Sequence, residues 1–430
     1  MLKGLEPSFS MLDLYLYNRY ISYYATLTCI PRGKGNIRVT LQNILELPAE
    51  KQNILGLVFT PREIAQQPET WKVTLDIFKR NQERICAFLE GLGLRGPVEQ
   101  RPVVILVGAG TSDYIGQALV LLLRQSWGCE VIACPSTDLL PNLEDFVVPE
   151  RNYLWISFSR SGDSPEGVAV LERAMELYPG IAHLVVTCNE DARMIEVCRD
   201  YPRSCVVVLD AEVNDRSLAM TSSFTNMIVL GQCLAHTWSI KEYEPVLRSM
   251  SRAGKQLLQS ASELAERLAL QDFPRVCFVG SGSLASVAKE SALKVLEMTG
   301  GRVATTSETV LGLRHGPMAA LDDSTLFVCF VSDDARRALY ARDILREVRE
   351  KKIAAKCAAV GTLAQQAEIA PQSNYYLPVE IDVSDGHRPV LDVMFGQLLG
   401  LHCSIFHHLK PDTPSPDGVI ARVVQEFGIY

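Results

Sequence analysis

Two stretches of the sequence combine residues that could do chemistry together. The first, SRSGDSPEG at 159–167, places three serines, an arginine and a glycine before and around a proline. Ser164 is a suitable N-cap and Pro165 a suitable first helical residue, so this loop should present N–H groups and hydroxyls at the positive end of a helix dipole. Such an end binds phosphate and other anions. A capped turn without a ligand is the alternative, and Asp163 opposes an anion unless its carboxylate faces solvent.

A shorter polar loop, GAGTS at 108–112, follows a neighbouring apolar run and adds Thr111 and Ser112 to the same rim. No GK[ST] follows it, and GAGTSDYIG lacks the GxGxxG spacing. The two loops therefore predict an anion site and do not indicate a nucleotide.

The second chemical stretch is a helix predicted over 283–301. Glu290, Lys294 and Glu297 lie at i, i+4 and i+7 on it, within an arc of about 60°, and the rest of its circumference is mostly apolar. Such a stripe faces either a cleft or, as the alternative, water. His315 follows in a Gly/Pro turn, where it could also be an ordinary hydrogen-bonded loop residue. A carboxylate and an imidazole near a phosphate site suit proton transfer next to a carbonyl.

The elements that must position these residues begin at about residue 101. Short β-branched runs alternate there with helical stretches, which predicts a parallel sheet covered on both faces. The predicted strands are 103–108, 130–134, 153–158, 183–188 and 204–209, with helices at 113–126 and 165–178 and a long helix from about 221.

This pattern occurs twice. VGAGT at 107–111 returns as VGSGS, WISFS at 155–159 as FVCFV and IAHLVVT at 181–187 as IAAKCAA, each 172 residues later, which indicates a duplicated α/β domain. The counterpart of the serine loop, VSDDAR at 331–336, carries two aspartates and should repel phosphate. The predicted site is therefore divided: the first copy holds the serine loop, and the second holds the carboxylates and His315.

The chain organisation follows from this repeat. The first residues are rich in Tyr and Leu but broken by Asp13 and Arg19, so they suit neither a membrane span nor a signal peptide. We expect a poorly specified extension there, with a peripheral anchoring helix as the alternative. The predicted segments are this extension (1–47), a helical lead-in (48–95), the first domain (96–245), a linker helix (246–271), the second domain (272–410) and a tail over the site (411–430).

Composition narrows the function further. The chain has 430 residues, 47% of them hydrophobic and 21% charged, and a net charge of −8. That charge argues against nucleic-acid or anionic-membrane binding. Twelve cysteines without a CxxC pair indicate thiols in a reducing, cytoplasmic compartment, with neither disulfides nor structural zinc.

Several motifs together resemble a known family. GAGTS, SRSGDSPE, AMTSS, ESALKVLE and RHGP are similar to the pair of sugar isomerase (SIS) domains in the isomerase half of glucosamine-6-phosphate synthase. DRSLAMTSS, LRHGP and PDTPSPDGVIARVVQ more closely resemble the AgaS subfamily of galactosamine-6-phosphate deaminase/isomerases and tagatose-6-phosphate ketose/aldose isomerases. The resemblance covers about residues 60–430. It implies two tandem SIS domains, each a flavodoxin-like α/β/α sandwich.

The resemblance also implies a role for each candidate residue. Glu297 would move protons between C1 and C2 of the sugar with support from Glu290 and Lys294, and His315, donated by a neighbouring subunit, would open the ring. Arg422 would stand for the synthase's active-site lysine in the tail. A homodimer or higher homo-oligomer with shared sites, and no cofactor or metal, is expected. The implied phosphate ligands are Thr111, Ser112, Ser159, Arg160, Ser161 and Ser164.

The expected activity is conversion of galactosamine 6-phosphate, or a related 2-amino-2-deoxyhexose 6-phosphate, to a ketose 6-phosphate plus ammonia. Ser222 stands where the synthase has a lysine, and no glutaminase domain precedes residue 60, so ammonia would exchange with solvent. Aldose–ketose isomerisation without deamination would use the same residues and stays open, as does the C4 epimer. A non-catalytic SIS sugar-phosphate sensor is the third alternative.

Overall fold

The computed structural model describes residues 39–415, 419–420, 422 and 428–430. Most of the predicted N-terminal extension, residues 1–38, therefore lies outside the described residues. The described chain forms two five-stranded sheets, both parallel throughout. This confirms the predicted fold class of two tandem α/β domains.

The lead-in is helical, as its sequence predicts. Its long helix matches the run predicted over 60–92 and buries Trp71 and Phe78 completely. Pro61 occupies the first turn, where its missing N–H costs no helical hydrogen bond. The three helices are α1 (Leu41–Leu45), α2 (Ala49–Leu55) and α3 (Thr60–Gly91).

The first sheet has the strand order β2-β1-β3-β4-β5. Its central strands are buried along their whole length, as expected for β-branched runs covered on both faces. The strands are β1 (Val103–Gly108), β2 (Val131–Pro135), β3 (Tyr153–Ser159), β4 (Ala182–Thr187) and β5 (Ser204–Val208), each within about one residue of its prediction. The helices are α4 (Thr111–Trp127), α5 (Ser136–Leu139), α6 (Leu143–Phe146), α7 (Pro165–Leu177), α8 (Arg193–Cys198) and α9 (Ser222–Ala235).

The long helix predicted from about 221 is wrong in one respect, since it is two helices. The first is α9, and α10 (Ile240–Ala269) follows after a turn over 236–239. The turn is closed by the backbone N–H of Ser239, which donates to the carbonyl of His236 at 2.9 Å. The break lets α9 lie against α3 and α4 while α10 packs on α3 and on the last helix of the chain. Because α10 begins at Ile240, the linker boundary predicted at 246 falls inside a helix.

The second sheet repeats the topology of the first, with the order β10-β9-β8-β6-β7. Its strands are β6 (Arg275–Gly280), β7 (Ala304–Thr309), β8 (Thr325–Phe330), β9 (Lys356–Thr362) and β10 (Tyr375–Val379). Its helices are α11 (Ser283–Met298), α12 (Ala335–Glu350), α13 (Leu363–Ile369) and α14 (Pro389–Phe406). By length and composition α14 could cross a membrane, but it is entirely buried against α10 and α11, where it serves as a core helix.

The repeat offset of 172 residues holds at the first and third strands but not at the fourth. Leu154 pairs with Ala182 in the first sheet, and Leu326 pairs with Lys356 in the second, so the fourth strands are 174 residues apart. The predicted correspondence of IAHLVVT with IAAKCAA is therefore wrong by two residues. The second domain carries those extra residues between β8 and β9.

Candidate active site

A small cavity of about 140 Å³ lies at the carboxyl ends of β1 and β3. In the order β2-β1-β3 this is the point where the chain changes direction across the sheet, the usual position for ligands in such folds. Six serines line the cavity: Ser112, Ser136, Ser157, Ser159, Ser161 and Ser164. A volume this small suits one end of a ligand, such as a phosphate, rather than a whole drug-sized molecule.

Four of these serines keep their hydroxyls available. Within the described chain, the side chains of Ser112, Ser136, Ser157 and Ser164 make no hydrogen bond to protein. Sequence reasoning missed Ser136 and Ser157 as site residues. Ser136 follows β2 directly, and its place at the end of a strand was the signal that could have found it.

The other two serines shape the loop. Ser159 Oγ accepts the N–H of Gly162 at 3.0 Å, and Ser161 Oγ accepts the N–H of Asp163 at 3.2 Å. Gly162 has φ of +66°, and a Cβ there would lie 2.3 Å from the Cβ of Ala192, so the turn needs glycine. Ser164 is the N-cap residue of α7 as predicted, but its side chain makes no capping bond and stays free.

Asp163 does not oppose an anion in this geometry. Its carboxylate accepts the N–H of Arg193 at 2.9 Å and the amide of Asn189 at 3.2 Å. It thereby caps the start of α8, and it is not among the residues that line the cavity. The acidic side chain of the loop therefore stabilises the start of α8 and takes no part in the cavity lining.

Two arginines supply positive charge to the cavity. Arg160 is only 7% exposed and donates to the carbonyls of Leu218 at 3.4 Å and Arg422 at 2.8 Å. Arg422 donates to the carbonyl of Asp215 at 2.7 Å. Neither forms an ion pair with any carboxylate of the described chain, and guanidinium stays charged even where burial lowers its pKa, as it does for Arg160. An anion in the cavity would meet both charges.

A buried carboxylate pair holds the loop that carries two of these carbonyl acceptors, those of Asp215 and Leu218. Asp215 is fully buried and accepts the N–H groups of Thr221, Ser222 and Ser223 at 2.8–2.9 Å, which caps α9. Glu63 of α3 accepts the N–H of Arg216 at 2.5 Å. Burial, and then the charge of Asp215, raises the pKa of Glu63 to about 7. The lead-in helix thus positions a wall of the cavity, which no motif in the sequence indicates.

The stripe on α11 faces the interior, so the alternative of a solvent-facing stripe is wrong. Glu290 and Lys294 are 0% exposed, while the Glu297 side chain is 27% exposed. Lys294 Nζ lies 3.3 Å from Glu290 Oε1 and 2.6 Å from Glu297 Oε2. Burial raises the pKa of Glu290 to about 8. Burial also lowers the pKa of Lys294, but the neighbouring Glu290 and Glu297 outweigh this effect, so the pKa of Lys294 is raised. The cluster presents one partly exposed carboxylate backed by a buried cation.

Thr111 joins this cluster to the serine cavity. Its hydroxyl is 3.1 Å from Lys294 Nζ and 3.3 Å from Glu290 Oε1. The adjacent residue, Ser112, lines the cavity, whereas Thr111 does not. Two consecutive residues of one helix therefore connect the predicted phosphate end of the site to the predicted base.

His315 is the predicted site residue that the chain does not bring to the others. It follows a short 3-10 turn over Gly312–Arg314 and is exposed. Within the described residues its imidazole makes no hydrogen bond or ion pair, and it does not line the serine cavity. An exposed histidine in this position is available to another molecule.

The cleft at the equivalent end of the second sheet is larger, about 550 Å³, but acidic. Asp333, Asp334 and Asp385 line it, and one of its arginines, Arg337, is paired with Asp385 at 3.2 Å. This lining is consistent with the prediction that the second copy repels phosphate. Within the described residues no group of three or more His, Cys, Asp or Glu side chains could hold a metal ion.

Similarity to known proteins decides the family. The chain is 38% identical over 379 residues to a Streptomyces coelicolor protein provisionally named D-galactosamine-6-phosphate deaminase AgaS, covering 87% of this chain and 95% of that protein. The chain belongs to the AgaS family. D-galactosamine-6-phosphate deaminase AgaS of Escherichia coli is 34% identical over 374 residues, or 86% of this chain and 95% of that one. No protein-family model matches the chain.

A solved structure shares the fold of this AgaS-family chain. A Clostridium novyi NT protein, provisionally named tagatose-6-phosphate ketose/aldose isomerase, superposes with a TM-score of 0.83 at 28% identity. The match covers 92% of this chain and 99% of that one. The resemblance drawn from GAGTS, SRSGDSPE and RHGP is therefore confirmed at the level of family and fold.

Proposed function

We propose that the protein is a sugar-phosphate deaminase/isomerase that converts galactosamine 6-phosphate to tagatose 6-phosphate and ammonia. The observation that carries the proposal is the contact chain from the serine cavity through Thr111 and Lys294 to Glu297. It joins an anion site to a carboxylate that can take a proton. The names of the AgaS relatives support the deaminase reaction.

The serine cavity would hold the phosphate. Free hydroxyls of Ser112 and Ser164, the first-turn N–H groups of α7 and the charges of Arg160 and Arg422 all suit a dianion. Binding this non-reacting end orients C1 and C2 of the sugar toward the second domain. Ser159 and Ser161 accept loop N–H groups but keep their own hydroxyl hydrogens, so they too can donate to the phosphate. Thr111 supports the site through its contacts with Lys294 and Glu290.

Glu297 would then transfer the proton. After His315 opens the ring, Glu297 removes the proton from C2, which leaves an enolamine. Return of that proton to C1 gives a C2 imine. Water adds to the imine, and ammonia leaves as the ketose carbonyl forms. Lys294 holds the Glu297 carboxylate in place, and Glu290 contacts the buried ammonium from the previous helical turn.

We further propose that the active unit is a homodimer or higher homo-oligomer in which His315 serves the neighbouring subunit's site. The support is its exposure and its separation from the serine cavity within one chain. Leu311, on the same loop, is 45% exposed, as an interface residue would be in an isolated chain.

Ketose/aldose isomerisation without ammonia release is a second candidate, favoured by the name of the Clostridium novyi relative. It would need the same proton transfer between C1 and C2. A sensor without catalysis would have no need of a buried Lys–Glu cluster beside the ligand.

The test is Glu297→Gln assayed with galactosamine, glucosamine, tagatose and fructose 6-phosphates, measuring both ammonia and ketose. We expect turnover to fall by about 10²- to 10⁴-fold while ligand binding persists. Glu350→Gln, an exposed carboxylate on α12, is the matched control and should be fully active. Retained turnover in Glu297→Gln would refute the assignment of the base. Ketose formation without ammonia would favour the isomerase.

A further inference from the structure

Thr111 occupies an unusual position between the two domains. It is the first residue of α4 in the first domain, directly after the GAG turn, and it is only 5% exposed. Its hydroxyl contacts two residues of α11 in the second domain, Lys294 and Glu290. By sequence alone it is indistinguishable from a phosphate ligand, since it sits in the same loop as Ser112.

The hydrogen-bond inventory leaves Thr111 little capacity for a ligand. An ammonium has three donors, and Lys294 Nζ has three oxygen neighbours: Glu297 Oε2 at 2.6 Å, Thr111 Oγ1 at 3.1 Å and Glu290 Oε1 at 3.3 Å. The Thr111 hydroxyl accepts from Lys294 and can donate its one hydrogen to Glu290 at 3.3 Å. Its donor is thus engaged within the protein.

We infer that Thr111 is a positioning residue that aims the Lys294 ammonium at Glu297, and not a phosphate ligand. This inference rests on the proposed function of Glu297. Without the Thr111 oxygen, the ammonium keeps two acceptors on its own helix and one unsatisfied N–H in a fully buried site. The lysine would then shift to satisfy it, and the carboxylate it holds would move with it.

Adjacent hydroxyls on α4 therefore have separate tasks. Ser112 faces the cavity with a free hydroxyl, whereas Thr111 faces the second domain. Helix α4, which carries Ser112 of the proposed phosphate site, thereby also sets the geometry of the base in the other domain. Any shift of α4 on ligand binding would be transmitted to Lys294 through one hydrogen bond.

The experiment compares Thr111→Val, which has nearly the same shape without the hydroxyl, with Thr111→Ser. Galactosamine 6-phosphate turnover is measured across pH, with the inhibition constant of inorganic phosphate. For Thr111→Val we expect kcat to fall about 10- to 100-fold and its basic limb to move to lower pH, because the buried ammonium has lost an acceptor. KM and the phosphate inhibition constant should stay within about threefold. Thr111→Ser should restore kcat.

Two controls separate this role from its alternatives. Ser112→Ala should show the opposite division, with a KM and phosphate inhibition constant raised about tenfold and kcat changed less. Lys289→Met removes the other polar contact between the same helices, Lys289 Nζ to Gln117 Oε1 at 2.7 Å, and should leave kcat unchanged. The inference is overturned if Thr111→Val behaves like Ser112→Ala, if it keeps full kcat, or if Lys289→Met loses kcat to the same extent.

A failure of the proposed function can be distinguished from a failure of this inference. If the unsubstituted protein turns over none of the four sugar phosphates, the proposed function fails, and crystal structures then decide the role of Thr111. In Thr111→Val the Lys294 Nζ to Glu297 Oε2 distance should lengthen from 2.6 Å to beyond hydrogen-bond range. An unmoved lysine would refute the positioning role.

Discussion

Glu290→Gln is the sharpest test of the buried cluster, because the side chain is fully buried and its protonation can be read from stability. Burial raises the pKa of Glu290 from 4.5 to about 8. At about 1.4 kcal/mol per pH unit, that difference corresponds to at most about 5 kcal/mol. The amide keeps the size of the carboxyl and removes its titration.

The sign follows from linkage. A carboxyl whose pKa is higher in the folded than in the unfolded chain contributes stability that is fully present below 4.5 and is lost as the pH rises through about 8. The raised pKa of Lys294 acts above pH 10.5, outside that window. The unsubstituted protein should therefore lose stability relative to Glu290→Gln between pH 5 and pH 8.

The assay is the free energy of urea unfolding at pH 5, 6.5 and 8 for the unsubstituted protein, Glu290→Gln and the exposed control Glu350→Gln. Over these three pH units the difference between the first two should change by up to about 4 kcal/mol in favour of the variant, and the control should follow the unsubstituted protein. A difference that stays constant within about 1 kcal/mol from pH 5 to 8 would show that Glu290 does not titrate there.

Two further outcomes are expected. Mixing inactive Glu297→Gln with inactive His315→Ala in equal amounts should restore about a quarter of full activity, because half of the dimers would carry one intact shared site; no recovery would place His315 in its own subunit's site. Asp163→Ala should cost about 1 kcal/mol of stability through loss of the cap on α8 and leave the phosphate inhibition constant nearly unchanged; tighter phosphate binding would show that the carboxylate does face the cavity.

The fold was largely predictable from two features of the sequence, the alternation of strand-like and helix-like segments and the internal repeat. Buried β-branched runs predict the strands, and the 172-residue offset that the first and third strands share reveals the second domain even where the residues differ. The two-residue shift before β9 and the break between α9 and α10 were not predictable, since neither changes composition. Both depend on how helices from distant parts of the chain pack together.

The residue types of the site were predictable from the sequence, but the directions in which their side chains point were much less so. The serine loop and the α11 stripe were identified, but the sequence does not show which way a side chain points. The carboxylate of Asp163 was expected to oppose anion binding, but in the structure it caps α8. Ser164 was expected to cap α7 with its side chain, but its hydroxyl makes no capping hydrogen bond. Ser136 was missed because it stands alone after an edge strand, with no motif around it.

Duplication by itself would give this chain two anion sites, because in both copies the equivalent strands end beside equivalent helix N-termini. The difference lies in a few side chains. Six serines, Arg160 and Arg422 line the first cavity, whereas Asp333, Asp334 and Asp385 line the second beside Arg124 and Arg337. The second copy instead contributes α11, whose Lys294 reaches back to Thr111 of the first. Under the proposed function the site therefore needs both copies in contact and a histidine from a neighbouring subunit, and its polar contacts cross between the domains while each domain keeps its own sheet.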